Sequence, residues 1–190
     1  TGYDKSKIIG FHNYSLRVTK LNYSLTQTIK WNISKFIKHN NFGVYKSFGV
    51  QEFIYPQETD KSEKLSQKNY NKIIKTIKNK KDILKIKIDT ILLGDLIYDA
   101  YLTRNKKQRP TINVYDEDFR EFLFKFISLF FAWKIVFKKN HIEALIVSHS
   151  CYTMGIPVRL ALKRKTLALE VKENRLKRLD SSDLHHYSET

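Results

Sequence analysis

The sequence predicts an α/β domain, and three observations carry that reading. Apolar residues recur at helical spacing in several segments, and short apolar runs of strand length follow them. One such run, residues 142–147 (IEALIV), ends in Ser148-His149-Ser150, the polar edge expected where a parallel strand hands over to its helix. No internal repeat, low-complexity tract or long glycine linker divides the 190 residues, so a single domain over 1–190 is the economical division.

Each element follows in order. Residues 8–21 are β-branched and aromatic with an early Gly10, and read as a strand and a loop. From Ser24 on, Leu25, Ile29, Ile33, Phe36 and Ile37 recur at helical spacing until Asn40-Asn41-Phe42-Gly43 supplies a stop. Residues 48–55 read as a short buried strand ending at Pro56, because proline cannot donate to a sheet ladder. The polar stretch 57–68 reads as a surface loop. Tyr70, Ile73, Ile74 and Ile77 then mark one face of a helix, with Lys68, Lys72, Lys75 and Lys78 on the others. Residues 83–91 are a strand or a connector leading into 92–102 (LLGDLIYDAYL), after which a basic loop, 103–113, carries Arg104 and Pro110.

Asp116, Glu117 and Asp118 stand where a helix N-terminus favours negative charge. The helix they introduce, 119–137, is aromatic and apolar nearly all round, so it must be covered on most sides. Lys125 and Lys134 interrupt it, leaving an uncharged run far short of the roughly 20 residues that cross a bilayer. Burial is the main expectation and interfacial membrane contact the other. Lys138-Lys139-Asn140 closes the helix, 142–147 is a strand, 152–165 a helix constrained by Pro157, and 166–171 (TLALEV) a further parallel strand. Residues 172–190 read as a polar tail or linker toward a further domain.

Composition bounds the function classes. With 42% hydrophobic and 13% aromatic residues the chain can bury a core, which excludes disorder along its whole length. Lysine and arginine number 35 against 19 acidic residues, and the net charge of +16 favours nucleic acid, phospholipid headgroups or a phosphorylated sugar donor. Part of this excess is compositional: Lys, Asn, Ile, Tyr and Phe are abundant and Ala, Gly and Pro scarce, as in an AT-rich coding sequence. The lone Cys151 rules out an intramolecular disulfide and a four-cysteine zinc site, and fits a reducing compartment. A start at Thr1 reads as a processed product or as part of something longer.

Ligands of open α/β sheets bind at the carboxyl ends of strands, which selects Ser148, His149, Ser150 and Tyr152. The His149 imidazole can serve as a general base or donate to a sugar hydroxyl or phosphate, against the alternative of a structural hydrogen bond. His12 is a second histidine of this kind. Cys151 lies beside His149, but sequence neighbours rarely present the geometry of a Cys-His nucleophile. The second cluster is Gly94, Asp95, Tyr98, Asp99 and Tyr101. On a helix Asp95 and Asp99 are i,i+4 and share a face. Two like charges within an apolar run ask for a partner: a cation, a hydroxylated ligand or an arginine such as Arg104. The alternative is a pair of structural acceptors, with Asp95 only a helix cap. No GxGxxG, GxxxxGK, HExxH, CxxC or EF-hand loop is present, which disfavours a dinucleotide site, a P-loop and a metal site. No RNP-type signature, Cys/His finger or helix-turn-helix is present either, and nucleic acid is a disfavoured partner.

Gly94-Asp95-Leu96-Ile97-Tyr98-Asp99-Ala100-Tyr101-Leu102, the basic loop with Pro110-Thr111-Ile112, the aromatic helix, and Ile146-Val147-Ser148-His149-Ser150-Cys151-Tyr152 together resemble bacterial capsule and lipopolysaccharide biosynthesis proteins of the glycosyltransferase type, over residues 30–171. The resemblance implies a three-layer Rossmann-like domain with a mostly parallel sheet, the N-terminal, acceptor-side half of a two-domain GT-B arrangement. It implies no cofactor, a nucleotide-sugar donor as substrate, and a saccharide or lipid-linked saccharide acceptor. The setting would be cytoplasmic, at the inner face of the inner membrane, with peripheral contact to anionic lipid. Asp95, Asp99 and His149 become the catalytic candidates, one of them the base on the acceptor hydroxyl. Gly94, Tyr98, Tyr101, Arg104, Ser148, Ser150 and Tyr152 become candidates for substrate contact. The donor half would lie in a missing C-terminal domain, and residues 1–190 alone are expected to be inactive. The alternative is a non-catalytic basic α/β module for nucleic acid or another polyanion, resting on the basic stretches 104–109, 163–165 and 172–178.

Overall fold

One helix, Glu117–Lys139, buries thirteen of its side chains, and the other elements are arranged to cover it. The computed structural model describes residues 7–11, 29, 33, 49–54, 56, 59–104, 111–173 and 175–182. His12 lies outside the described residues, as does most of the expected 24–40 helix, of which Ile29 and Ile33 are helical.

The elements are β1 (Ile9–Phe11), β2 (Glu52–Ile54), α1 (Asp60–Thr76), α2 (Lys80–Leu84), β3 (Lys87–Ile88), β4 (Ile91–Leu92), α3 (Gly94–Arg104), α4 (Glu117–Lys139), β5 (Ala144–Val147), α5 (Gly155–Lys163), β6 (Leu167–Lys172) and β7 (Arg175–Arg178). A 3-10 turn, Tyr152–Met154, leads into α5. The class is mixed α/β. Its sheets are small: β1 and β2 pair in parallel, β3 and β4 form an antiparallel hairpin, and β5-β6-β7 is a mixed sheet with β5 parallel and β7 antiparallel to β6.

Two expectations need correction. The stretch 57–68 is mostly helix, because Thr59 caps α1: its hydroxyl accepts from the Ser62 amide at 3.3 Å, and Ser62 Oγ accepts from the Thr59 amide at 2.8 Å. Asp60 and Glu63 supply the acidic first turn, and the buried Ser66 hydroxyl donates back to the Ser62 carbonyl, so polar residues here satisfy a helix. Within the stretch 172–190, the described residues include strand. Lys172 ends β6, Arg175–Arg178 return as β7, and the buried Leu179 donates its amide to the Ala168 carbonyl at 2.9 Å.

Around α4, the packing is aromatic. Tyr70 of α1 meets Phe124 edge-on at 5.5 Å, Phe11 of β1 meets Trp133 at 5.1 Å, and Tyr101 of α3 meets Phe119 and Phe122, each at 5.2 Å. Each fully buried Phe, Leu or Ile contributes about 2 kcal/mol over an exposed one, which makes α4 the main source of core stability. It also disposes of interfacial membrane contact for this helix. The Arg164 guanidinium bonds the Phe137 carbonyl and lies over the Phe137 ring, tying the end of α5 to the end of α4.

Candidate functional site

The unit that positions the polar residues is β5-turn-α5-β6. Alternation along the strands buries Leu145 and Val147 of β5 and Ala168 and Glu170 of β6, and α5 packs against both strands. The chain leaves β5 at Ser148, enters the 3-10 turn at Tyr152 and starts α5 at Gly155, with Pro157 in the first turn, where a missing amide does no harm.

Helix α3 comes up to this edge because two glycines allow it. A Cβ on Gly94 would stand 2.1 Å from the Ile83 carbonyl oxygen and 2.5 Å from the Leu84 carbonyl carbon, so α3 starts in backbone contact with the end of α2. A Cβ on Gly155 would meet Leu96 at 2.5 Å and the Ser150 carbonyl oxygen at 2.6 Å, so α5 starts in contact with α3. Gly94 is buried, and its missing side chain serves this close packing.

The two sequence clusters meet here. Asp95 and Asp99 share one face of α3, and Asp95 pairs with Arg159 of α5, while the Arg104 side chain lies outside the described residues. The Arg159 guanidinium takes both Asp95 oxygens, Oδ1 at 2.6 Å, and also donates to the Leu92 carbonyl. Its side chain is only 3% exposed while that of Asp95 is 30% exposed, so this is a structural ion pair that opens to one side. Asp99 is half-buried and lacks that engagement. Burial, and then the Asp95 charge, push its carboxyl above the usual aspartate value, with the Arg159 charge pulling the other way.

Tyr152 faces this carboxyl electrostatically: burial first, then Cys151 and Asp99, push its phenol up. Its backbone has φ 50°, in the left-handed region that a bulky residue avoids, so the chain holds the ring here against local strain. The His149 ring lies 6.2 Å from the Tyr152 ring, and its Nδ1 is 2.9 Å from Ser148 Oγ. Ser150 is held from below, its amide and hydroxyl both donating to Glu170 Oε1, at 2.9 and 3.3 Å. Glu170 Oε2 makes no hydrogen bond of good geometry but lies 3.2 Å from the Lys172 ammonium. Cys151 is buried.

Tyr152, His149 and Ser148 thus lie together at one strand edge, with the Asp99 carboxylate on α3 close enough to Tyr152 to push its phenol up, and Tyr98, half-buried on α3, packs against the core. Tyr101 is not among them. Its ring is buried in the core and its hydroxyl donates to Asp118 at 3.0 Å, which corrects its reading as a substrate contact. Arg159 and Glu170 were not singled out in the sequence, yet each left a signal: a lone charge within an apolar helix (GIPVRLALK) and within an apolar strand (LALEVK). A separate open depression of about 580 Å³ lies between α1 and the start of α4, lined by Gln67, Tyr70, Tyr115, Glu117, Arg120, Glu121 and Phe124. It shares no residue with the strand-edge cluster.

Among the described residues no group of three or more His, Cys, Asp or Glu side chains is placed to hold a metal ion, and no helix is long and apolar enough to cross a membrane. Comparison with protein-family models, curated proteins and solved structures finds no match to this chain.

Proposed function

We propose that the chain is the acceptor-side part of a glycosyltransferase-type enzyme of bacterial surface polysaccharide synthesis, with Asp99 as its general base. The single observation that carries this reading is the half-buried Asp99 carboxyl, raised above the usual aspartate value, beside the strained Tyr152 and His149 at the carboxyl edge of a parallel β-α-β unit. A carboxylate with a raised pKa is a stronger base at neutral pH than an ordinary one. Asp99 takes the proton of an acceptor hydroxyl while that hydroxyl's oxygen bonds to the anomeric carbon of a nucleotide sugar. The bond from that carbon to the diphosphate breaks, and the nucleoside diphosphate leaves with the electron pair. Tyr152, neutral and able to donate, and His149 orient the acceptor saccharide. Asp95, held by Arg159, fixes the charge next to the base and is a positioning residue.

On this reading the unit completes a three-layer Rossmann-like half of a GT-B arrangement, the donor is a substrate rather than a cofactor, and the work is done in the cytoplasm at the inner face of the inner membrane. The test is acceptor-dependent release of nucleoside diphosphate from a panel of nucleotide sugars by the protein at its native length. Asp99→Asn should lower the rate about a hundredfold with the fold intact. Wild-type rates in both Asp99→Asn and His149→Ala would overturn the proposal.

A further inference from the structure

We propose that the outer face of α1 is a binding ladder for an extended acidic polysaccharide. All five lysines of the helix, Lys61, Lys64, Lys68, Lys72 and Lys75, stand at i, i+3, i+7, i+11 and i+14. At 3.6 residues per turn these positions fall within about 80° of arc, roughly opposite Ser62, Ser66 and Ile73, which the helix buries. Each of the five is exposed, and among the described residues none is ion-paired. A lysine-rich composition explains their number but does not put every lysine of a helix in single file. Lys64, Lys68 and Lys72 are successive i,i+4 neighbours of like charge, a standing repulsion that an anionic partner relieves.

Geometry selects the partner. The file is about 21 Å long with rungs about 5 Å apart, as the 1.5 Å rise per residue sets them. It is also narrow. Asp60 and Glu63 lie beside it in the first turn, and past Gln67 the depression lined by Glu117 and Glu121 opens on the same flank. A broad anionic partner, such as a duplex or a bilayer, would lie across those acids as well as the lysines. A chain with a carboxylate on each sugar ring carries its charges in single file and meets the lysines alone. Lysine suits it, as a flexible point charge that asks for no fixed fork geometry. Single-stranded nucleic acid is also linear, but Leu65, Asn71 and Thr76, which flank the file, offer its bases no aromatic ring. The choice of a saccharide polymer rests on the glycosyltransferase reading, whereas binding at the ladder needs no residue of the Asp99 cluster.

Fluorescence anisotropy of the full chain with labelled polygalacturonate oligomers, and with dextran oligomers as the uncharged control, tests it. Binding should require the carboxylates, weaken with salt, and fall about tenfold in Lys68→Gln/Lys72→Gln. Lys138→Gln/Lys139→Gln removes the same charge from exposed positions at the end of α4 and should weaken binding less than about twofold. Circular dichroism confirms that both double variants are folded, and the salt series on the unaltered protein stands without them. Three results each overturn the proposal: no binding to polygalacturonate at low salt, equal loss in the two double variants, or preference for duplex DNA when both polymers are offered at equal charge. Binding is read with no sugar donor present. Its loss with transfer intact therefore counts against the ladder alone, and absent transfer with binding intact against the proposed enzyme alone.

Discussion

The guanidinium of Arg159, in α5, spans both carboxylate oxygens of Asp95, in α3, and ties together two helices whose residues are 64 positions apart in sequence. The cation is the buried partner and the anion the half-open one. Removing the anion therefore takes from a desolvated guanidinium the carboxylate that neutralises it, while its bond to the Leu92 carbonyl does not restore the charge balance.

Asp95→Ala should cost about 3 kcal/mol in urea unfolding, and Arg159→Lys should fall between it and the wild type, since an ammonium keeps the charge and loses the fork. In a double-mutant cycle with Arg159→Ala the two losses should fail to add by about 2 kcal/mol. An Asp95→Ala protein as stable as the wild type would mean that the pair does not hold α3 to α5.

Asp99 has the opposite sign. Its folded-state pKa is raised above the ordinary 3.8, so between that value and the folded one the native state binds more protons than the unfolded state, and stability falls as pH rises through the window. The penalty is complete above the folded pKa and absent below the unfolded one. Asp99→Asn should accordingly be more stable than the wild type at neutral pH, with a gap that narrows to a constant on acidification. Urea midpoints of both proteins against pH give the answer, and a gap that widened toward acid would exclude a raised Asp99.

The glycines differ in what they touch. Gly94→Ala drives a methyl group into the backbone of Ile83 and Leu84, which cannot rotate away, and should cost about 3 kcal/mol. Gly155→Ala meets a rotatable Leu96 as well as the Ser150 carbonyl, and should cost less, about 2 kcal/mol. Thermal unfolding of the two variants checks the order.

Much of this architecture is written locally. The apolar stripe of Tyr70, Ile73 and Ile77, the acids before α4 and the run IEALIV each obey one period or one cap rule, and the corresponding elements are present. What escapes is non-local. Nothing near Asp95 in sequence points to Arg159, because the pairing exists only once α5 has crossed back over β5. Thr59-Asp60-Lys61-Ser62 reads as loop by polarity, although its hydroxyls close a capping box. Of the site, Asp99, His149 and Tyr152 were legible from strand-end position and i,i+4 spacing. The sequence does not separate Tyr101 from its neighbours on α3, because its bond to Asp118 joins residues 17 positions apart.

Glu170 gives a local test. Its Oε1 accepts from both the amide and the hydroxyl of Ser150, so Glu170→Ala frees the turn that carries His149. Hydrogen bonds to a charged acceptor contribute about 2 kcal/mol, and the Ser150 amide should exchange with deuterium correspondingly faster while the amides of α4 keep their protection. Unchanged exchange at Ser150 would show that the turn is held by other contacts.

The order of synthesis gives α4 a further meaning. Its aromatic surface leaves the ribosome after α1 and α3, which can shelter part of it, but before α5 exists to cover a further side. For the time needed to add those residues, a nascent chain displays an apolar flank of its longest described helix to solvent. Trigger-type holding chaperones, or slow expression at low temperature, should therefore raise the soluble yield far more than any change to the finished surface.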